Sequence, residues 1–399
     1  MTQALEGIRV LDFTQMMLGP YGTQMLADLG ADVIKVERPA GEWERGLEMM
    51  GDLVAGESAA FLAMNRNKRS VALDLKDPAA RAALLRLAET CDVVVENFRP
   101  GVLDRLGLGY DDVRAVRPDI VYCSGSGWGQ NTPFAREGRP GQDLLIQAMS
   151  GLAAATGRRG DPPTPAGTAI VDHATALTLA NGVLAALVAR ERHGVGQRVE
   201  VDLYSTAIAM QCQEISAFLN QDEAYERSEE GIGQAWLSAP FGVYEARDGW
   251  VALAMAPLDV VAAVVGDPSL ADLDPWAERD EVKRLLEGHL RREPAAHWVR
   301  ELGAAGLWAA RVRTTQEAVA ELQEQGSDLL VTTDGPDGTP ISLIGCPVTL
   351  SETPWQLRLP PPRVGEHTAE VLREVLTDDE VARLTTTATT TGERTPTHG

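Results

Sequence analysis

Cysteine is scarce in this chain of 399 residues. The four cysteines are widely scattered, and neither a CxxC pair nor a histidine at metal-ligand spacing accompanies them: Cys91, Cys123, Cys212 and Cys346. Disulfide-stabilised domains and zinc sites both require regular cysteine spacing. The sequence therefore predicts no disulfide framework and no bound metal, and it favours buried thiols.

Positive charge is also in deficit. Lys and Arg number 36 against 58 Asp and Glu, which gives a formal net charge of -22. A nucleic-acid partner is excluded on this ground, because binding phosphate backbones requires a basic face. An anionic small ligand would need a local group of cations to overcome the repulsion of the whole molecule.

Long apolar runs and a basic-then-apolar N-terminal signal are absent from the pattern. No run reaches the roughly 18 to 20 residues that span a bilayer, so we expect no membrane partner and a cytoplasmic protein. The length, with 44% hydrophobic residues, predicts a large core and two domains.

Lysine is rare, and its distribution is uneven. Only four lysines occur, and three lie early among several arginines: Lys35, Lys68 and Lys76, beside Arg38, Arg66, Arg69 and Arg81. This segregation favours a ligand that carries phosphate. A solvated basic face opposite an acidic partner chain is the alternative.

Strand and helix patterns alternate through the first 130 residues. Short apolar strands and amphipathic helices succeed one another in this order: strand 8–13, helix 21–29, strand 32–37, helix 79–88, strand 92–96, helices 103–116 and strand 120–124. Such alternation predicts a parallel, doubly wound α/β sheet. The first strand-to-helix turn, QMMLGPYG, matches neither GxGxxG nor GxxxxGK[ST], which excludes nicotinamide-dinucleotide and P-loop binding. The later GSGWG at 125–129 is interpreted as a plain loop.

The segment from Pro165 to Tyr204 places an isolated acid at the start of a long apolar helix. Asp172 precedes Ala, Leu and Val at helical spacing through Val188, and a glycine turn then leads to a strand over 197–203. The free amides of a helix N-terminus favour a carboxylate and would hold it ionised. Asp172 is therefore either an N-cap or a nucleophile.

The pattern changes beyond residue 220. A hairpin over 241–253 turns at Asp248 and Gly249, helical patterns cover 258–322, and a Gly- and Pro-rich stretch comes next. We predict a large domain over 1–220, a small domain over 221–325, and a linker with a C-terminal return to the large domain over 326–399. The Thr-rich tail from Thr385 is expected to be frayed.

Several segments between Leu5 and Leu372 together resemble the class III CoA-transferases, the family of formyl-CoA transferase, carnitine CoA-transferase and α-methylacyl-CoA racemase. The resemblance is carried by LEGIRVLDFTQMMLGPYGTQMLADLGADVIKVERP, NRNKRSVALDLK, DVVVENFRPGVLDRLGLGY, GQDLLIQAMSG, the Asp172 segment, FGVYEARDGW and VGEHTAEVL. It implies a Rossmann-like large domain, a smaller α+β domain and an interlocked homodimer.

The resemblance also implies the chemistry. Asp172 occupies the position of the family's catalytic aspartate, which attacks an acyl-CoA thioester and passes coenzyme A to a carboxylic acid acceptor. The positions that bind coenzyme A in the family, with the basic candidates Arg99 and Arg139 beside them, are Met16, Arg38, Leu73, Lys76, Asn97, Phe98, Val102 and Arg105. Phe98 would cover the adenine, and the arginines would hold phosphate oxygens.

Two departures from formyl-CoA transferase bear on the substrate. Met17 stands where that enzyme has a glutamine, and its run of glycines is reduced to Gly231-Ile232-Gly233, so formate and oxalate are disfavoured. A racemase is the alternative within the family, but Gln142 replaces the histidine that would exchange the second proton. A non-catalytic coenzyme A-binding protein would need the cations and not Asp172.

Overall fold

The computed structural model describes residues 2–221 and 226–391. It divides into two compact units, which are Met1–Asp143 with Ala169–Thr206 and Gly326–Gly399, and Leu144–Thr168 with Ala207–Gln325. Residues 144–168 and 207–220, which the predicted division assigns to the large domain, thus belong to the second unit. The cuts before Leu144 and Ala207 fall inside helices, where composition does not change, whereas those before Ala169 and Gly326 fall outside helices.

The first unit is built on a six-stranded sheet in which every neighbouring pair is parallel. Its strands are β1 Arg9–Asp12, β2 Asp32–Glu37, β3 Lys68–Ala72, β4 Val93–Glu96, β5 Val121–Ser126 and β6 Arg198–Asp202. Their order is β3-β2-β1-β4-β5-β6. The predicted doubly wound sheet is confirmed, and its order reverses between β1 and β4, where such sheets bind ligands at the carboxyl ends of the strands.

The remaining elements are helices and two small antiparallel sheets. The helices are α1 Leu18–Asp28, α2 Ala59–Met64, α3 Pro78–Glu89, α4 Val102–Arg105, α5 Tyr110–Val116, α6 Pro133–Arg136, α7 Asp143–Met149, α8 Leu152–Ala155, α9 Ile170–His193, α10 Leu203–Met210, α11 Cys212–Asn220, α12 Leu258–Val265, α13 Arg279–Leu290, α14 Ala295–Ala304, α15 Thr315–Glu324, α16 Thr368–Arg373 and α17 Asp378–Thr391. The antiparallel strands are β7 Gly242–Ala246, β8 Gly249–Ala254 and β9 Trp308–Arg311 in one sheet, and β10 Leu330–Asp334 and β11 Pro340–Ile344 in the other.

The core of the first unit lies on the central strands. Val94, Ile34 and Leu11 are buried with Leu84 of α3, because a parallel sheet has helices on its faces. The C-terminal helices α16 and α17 complete this core with their apolar residues, Val371, Leu372, Val381 and Leu384. Helix α17 extends through Thr391, so the Thr-rich segment from Thr385 begins inside a helix, and 392–399 lie outside the described residues.

Helix α9 corrects the expectation about apolar length. An 18-residue window of this helix has a mean hydropathy of 1.4, enough by length and composition to cross a membrane. Its isolated polar residues interrupt the apolar run, but small and aliphatic residues outweigh them. A core helix passes the same test, and α9 packs along α1, β5 and β6 with Val171, Leu179 and Val183 buried.

The second unit contains the predicted hairpin. Strands β7 and β8 pair with Ala246 opposite Gly249, so the chain turns where the sequence indicates. Strand β9 was not predicted, since it lies within the segment interpreted as helical and is short. It pairs with β8.

Candidate functional site

Asp172 lies in the first turn of α9, and a second acid satisfies the helix end. The N-cap residue Ala169 supplies no side-chain hydrogen bond. Instead, Oδ1 of Asp143 accepts hydrogen bonds from the backbone N–H of Val171 at 2.8 Å and of Asp172 at 3.1 Å. Asp172 is therefore not the cap, and its carboxyl accepts no hydrogen bond from the described residues.

This arrangement sets the protonation of Asp172. Burial, and then the neighbouring negative charge of Asp143, raise the pKa of Asp172 from 3.8 to about 7. The sequence predicts an ionised carboxylate because helix amides would stabilise it. Asp143 takes two of those amides, so near neutral pH Asp172 is a mixture of the acid and a poorly solvated carboxylate.

The position of Asp172 in the fold is set by the packing of α9 on α1. The rings of Tyr21 and His173 meet edge to face at 5.1 Å, and a Cβ on Gly22 would lie 3.0 Å from the carbonyl oxygen of Ala176. The two helices thus lie side by side with their N-termini at one end. Since α1 comes directly after β1, that end is the carboxyl edge of the sheet. His173 also lies 2.8 Å from the Ala169 carbonyl through Nδ1, as a packing residue would.

A cleft of about 380 Å³ opens at the carboxyl ends of β4 and β5. It brings together five of the residues expected to bind coenzyme A, namely Asn97, Phe98, Arg99, Arg105 and Arg139. Val102 lines a much smaller adjoining cavity together with Arg99. Met16, Arg38, Leu73 and Lys76 do not line the cleft.

The cleft carries cations suited to an anionic ligand. Arg99 and Arg105 are exposed, and neither forms an ion pair with any residue in 2–221 or 226–391. Arg139 pairs with Glu137 at 2.6 Å, and its guanidinium lies 4.5 Å from the ring centre of Phe134. Unpaired arginines in a protein with such an excess of acid are available for phosphate oxygens.

The other expected contacts lie after β2 and β3 on the same edge of the sheet. Arg38 and Lys76 are exposed, and no acid within the described ranges pairs with either; Arg38 donates from Nε to the carbonyl of Gly41 at 2.5 Å. Leu73 differs from the expectation. Its side chain is 1% exposed in the core, so only its backbone could meet a ligand.

Three of the seven early basic residues do not form a ligand surface. Lys35 and Lys68 are fully buried and pair with Glu42 at 3.0 Å and Asp12 at 3.2 Å. Arg66 is likewise buried against Asp28. The interpretation of this cluster as a phosphate site is wrong for these residues. They are internal counterions, an alternative that sequence spacing alone does not distinguish.

Asn97 makes contacts that the sequence did not predict. Its Oδ1 accepts a hydrogen bond from the backbone N–H of Gln15 at 2.8 Å, and its Nδ2 donates to the Gln15 carbonyl at 2.7 Å. Met16, the next residue, has φ at 63°, in the left-handed region that a residue with a side chain rarely adopts. The loop between β1 and α1 is thereby tied to the end of β4.

A close contact between two glycines of the cleft was missed. Gly127 and Gly141 both line it, and a Cβ on either would lie 2.4 Å from the other's Cα, so the two backbones touch. Trp128, in the segment interpreted as a plain loop, lies at the same place, with its ring edge to face with Phe134 at 5.0 Å and tilted against Tyr204 at 5.4 Å. The glycines of GSGWG were the available signal, since glycine marks close backbone approach.

Comparison with known proteins gives a consistent result over almost the whole chain. The family described as CoA-transferase family III matches residues 5–368. A succinyl-CoA:glutarate CoA-transferase of Mus musculus is 34% identical over 95% of this chain and 88% of its own length. A probable fatty acyl-CoA transferase of Mycobacterium tuberculosis is 35% identical over 92% of this chain and 97% of its own length.

Solved structures agree. The crystal structure of an aspartate-to-alanine mutant of a Mycobacterium tuberculosis protein superposes with a TM-score of 0.80 at 34% identity, covering 92% of this chain and 98% of that one. A CAIB/BAIF family protein of Brucella suis has a TM-score of 0.79 at 28% identity, with 94% of this chain and 100% of that chain covered.

Proposed function

The chain belongs to CoA-transferase family III and is a CoA-transferase, and we propose that it works through an acyl intermediate on Asp172. The observation that carries the proposal is the state of this side chain. Asp172 is half-buried at the carboxyl edge of the sheet, and Asp143 occupies the helix amides that would otherwise engage it. A carboxylate that is poorly solvated and not hydrogen-bonded is a stronger nucleophile than one in water.

In the proposed reaction, coenzyme A is transferred through two anhydrides and an aspartyl thioester. The Asp172 carboxylate attacks the thioester carbonyl, the C–S bond breaks, and the thiolate leaves with its electron pair, which gives a mixed anhydride. The thiolate then attacks the aspartyl carbonyl and releases the first acid, leaving an aspartyl thioester. The acceptor carboxylate displaces the thiolate to form a second anhydride, and the thiolate attacks its acyl carbon, releasing the new acyl-CoA and free Asp172.

We place the coenzyme A phosphates at the cleft of the first unit. Arg99 and Arg105 lack acid partners in the described part of the chain, and Phe98 beside them offers a ring face for adenine. Glu96 accepts a hydrogen bond from the Phe98 N–H at 2.9 Å and so fixes the backbone there. Arg38 and Lys76, on the same edge, supply further positive charge.

The test of this function is Asp172→Ala. Transfer should fall at least about 1,000-fold, as for other nucleophile deletions, whereas the Kd for coenzyme A should change little. Glu191→Ala is the matched control, since it removes an exposed acid from the same helix and leaves the Asp172 carboxylate in place. Full activity in Asp172→Ala contradicts the proposal.

The same assay separates the alternatives. A panel of acyl-CoA donors with succinate, glutarate and fatty acids as acceptors, monitored by mass spectrometry, identifies the acids exchanged. In heavy water and without an acceptor, α-deuteration of a 2-methylacyl-CoA would identify a racemase. A non-catalytic coenzyme A-binding protein would form no new thioester with any pair.

We also propose that the protein is a homodimer. Large apolar side chains stand exposed on three helices of the chain, which supports a partner: Leu144, Leu177, Val188, Phe218 and Leu219. Sedimentation equilibrium should give twice the chain mass of 42.9 kDa, and a single-chain mass at micromolar concentration contradicts the dimer.

A further inference from the structure

The side chain of Asn97 adjoins the cleft, but its amide is engaged with the protein's own backbone. Both of its polar atoms hydrogen-bond to Gln15, one to the N–H and one to the carbonyl. A carboxamide has two N–H donors and two acceptor lone pairs, so this pairing uses half of each. A contact with coenzyme A would have to use the remaining donor and lone pair.

The bonds join two strands that flank the reversal of the sheet order. Asn97 comes directly after β4, Gln15 lies three residues beyond β1, and the Phe13 N–H donates to the Val95 carbonyl. The backbone pairing of β1 with β4 thus ends just before Asn97. The Asn97 side chain continues the contact from the end of β4 to the loop after β1. Without the Asn97 side chain, the Gln15 N–H and the Gln15 carbonyl would each lose this hydrogen bond.

The loop that Asn97 holds has an unfavourable shape. Met16 has φ at 63°, and a Cβ on Gly19 would lie 2.3 Å from Cβ of Thr14, so the chain turns very tightly into α1. A non-glycine residue in the left-handed region persists only where its surroundings enforce it. Two hydrogen bonds to the residue just before Met16 supply that constraint.

The loop matters because it leads into the N-terminus of α1. Helix α1 lies along α9, with Tyr21 against His173, the residue next to Asp172. Met16 and Met17 therefore lie at the same carboxyl edge as the nucleophile. A loop that relaxed by an ångström would disturb the position of an acyl group there.

We propose that Asn97 is a positioning residue that holds the loop from Gln15 to Met17 in its reactive shape, rather than a residue that binds coenzyme A through its side chain. The inference rests on the proposed function, because it concerns the same site. It revises the role that the family resemblance implies for Asn97. In this proposal coenzyme A remains held by the arginines of the cleft.

Two variants test this role. Asn97→Ala removes both hydrogen bonds, and Asn97→Asp keeps the acceptor for the Gln15 N–H while setting a carboxylate against the Gln15 carbonyl. In both, kcat should fall about 10- to 100-fold at pH 8, as expected for a misplacement of about 1 Å, and the Kd for coenzyme A by calorimetry should stay within about threefold. A rise in Kd that accounts for the whole loss identifies a direct ligand and overturns the proposal.

The pH dependence distinguishes positioning from a general structural effect. When protonated, the carboxyl introduced by Asn97→Asp can donate to the Gln15 carbonyl and accept from its N–H, as the amide does. The Gln15 carbonyl disfavours the ionised form and should raise the pKa of the introduced carboxyl above its ordinary value of about 3.9, so activity relative to wild type should recover as the pH falls from 8 to 4.5 in Asn97→Asp and not in Asn97→Ala. Equal ratios at all pH values in both variants overturn the proposal.

Hydrogen exchange provides a readout that does not depend on Asp172. The Gln15 amide should exchange faster in Asn97→Ala than in wild type, while the amides of β4 stay protected. Unchanged exchange at Gln15 contradicts the positioning role of Asn97 even where activity is lost. If Asp172→Ala retains activity but the Gln15 amide exchanges faster in Asn97→Ala, the proposed function is wrong and the positioning role of Asn97 is supported.

Discussion

Asp143 and Asp172 show how neighbouring residues of one type acquire different roles. Asp143 accepts the amides of the α9 terminus, whereas Asp172 accepts no hydrogen bond from the described residues and has a pKa raised to about 7. The sequence alone places an acid at the helix start. It does not reveal that an acid about thirty residues earlier takes the amides, because that contact depends on how the chain returns to the helix.

The pH dependence of the reaction should report this pair. If ionised Asp172 is the nucleophile, kcat/KM rises with pH through about 7, because the ionised fraction grows through the raised pKa. Asp143→Asn removes the nearby negative charge, so the rising limb should move to lower pH. An unchanged limb in Asp143→Asn contradicts the coupling. Asp111→Asn, the same change at an exposed acid of the first unit that lies outside the cleft, serves as the control.

The stability of the fold should fall with pH where the activity rises. Because the pKa of Asp172 is raised in the folded state, its favourable contribution is present below its ordinary value of 3.8 and is lost as the pH rises to about 7. Asp172→Asn mimics the protonated acid. It should be more stable than wild type at pH 8 by about 2 kcal/mol, allowing for solvent screening, with the difference shrinking toward pH 4. Denaturant unfolding at several pH values measures it, and a less stable Asp172→Asn at pH 8 contradicts the account.

At the level of elements, the contact between α1 and α9 aligns the two helix ends at the site. Gly22 permits it, since a Cβ there would meet Leu179 Cδ2 at 2.9 Å and the Ala176 carbonyl at 3.0 Å. Periodicity predicted both helices, the strand before α1 and the strand after α9, because buried β and amphipathic α patterns are strong in these regions. It did not predict β9, which is short and lies between helices.

The close approach gives a prediction with a matched control. Gly22→Ala should lower the free energy of unfolding by about 1–3 kcal/mol, because the added methyl group must separate backbone from backbone. Gly288→Ala, at a glycine of α13 with open space around it, should raise it by about 0.5–1 kcal/mol through helix propensity. Equal effects of the two substitutions contradict the packing described for α1 and α9.

For the molecule as a whole, the sequence gives the number of charged residues correctly but does not show which of them are buried. The sequence places most lysines early in the chain, but these early cations are divided between the interior and the surface. Lys68 is fully buried beside Asp12, and Lys76 of the same segment is exposed. Strand alternation indicates burial of one face, yet it gives no reason to bury a lysine, since the acid that pairs with it is distant in sequence.

Substituting these two lysines separates the roles. Lys68→Met leaves the Asp12 carboxylate unpaired in the core and should destabilise the protein by about 3–5 kcal/mol. Lys76→Met should leave the melting temperature unchanged and weaken coenzyme A binding several-fold. A stable Lys68→Met, or a Lys76→Met with unchanged Kd, contradicts the assignment of one cation to the core and the other to the ligand.

Family membership was within reach of the sequence because its motifs extend from Leu5 to Leu372. Two of the cuts between the units fall inside α7 and α10, where no change of composition marks them, whereas the cut before Gly326 lies where the composition changes. The sequence also does not identify the two carboxylic acids that are exchanged. Side chains that shape an acyl pocket come from loops, whose conformation local patterns do not predict.

The most direct measurement is a single turnover with acyl-CoA and no acceptor, quenched in acid and analysed by peptide mass spectrometry, with hydroxylamine added in a parallel sample. The account predicts an acyl or coenzyme A adduct on the peptide that contains Asp172, converted by hydroxylamine to the hydroxamate. A protein that turns over acyl-CoA with this peptide unmodified at every time point contradicts it.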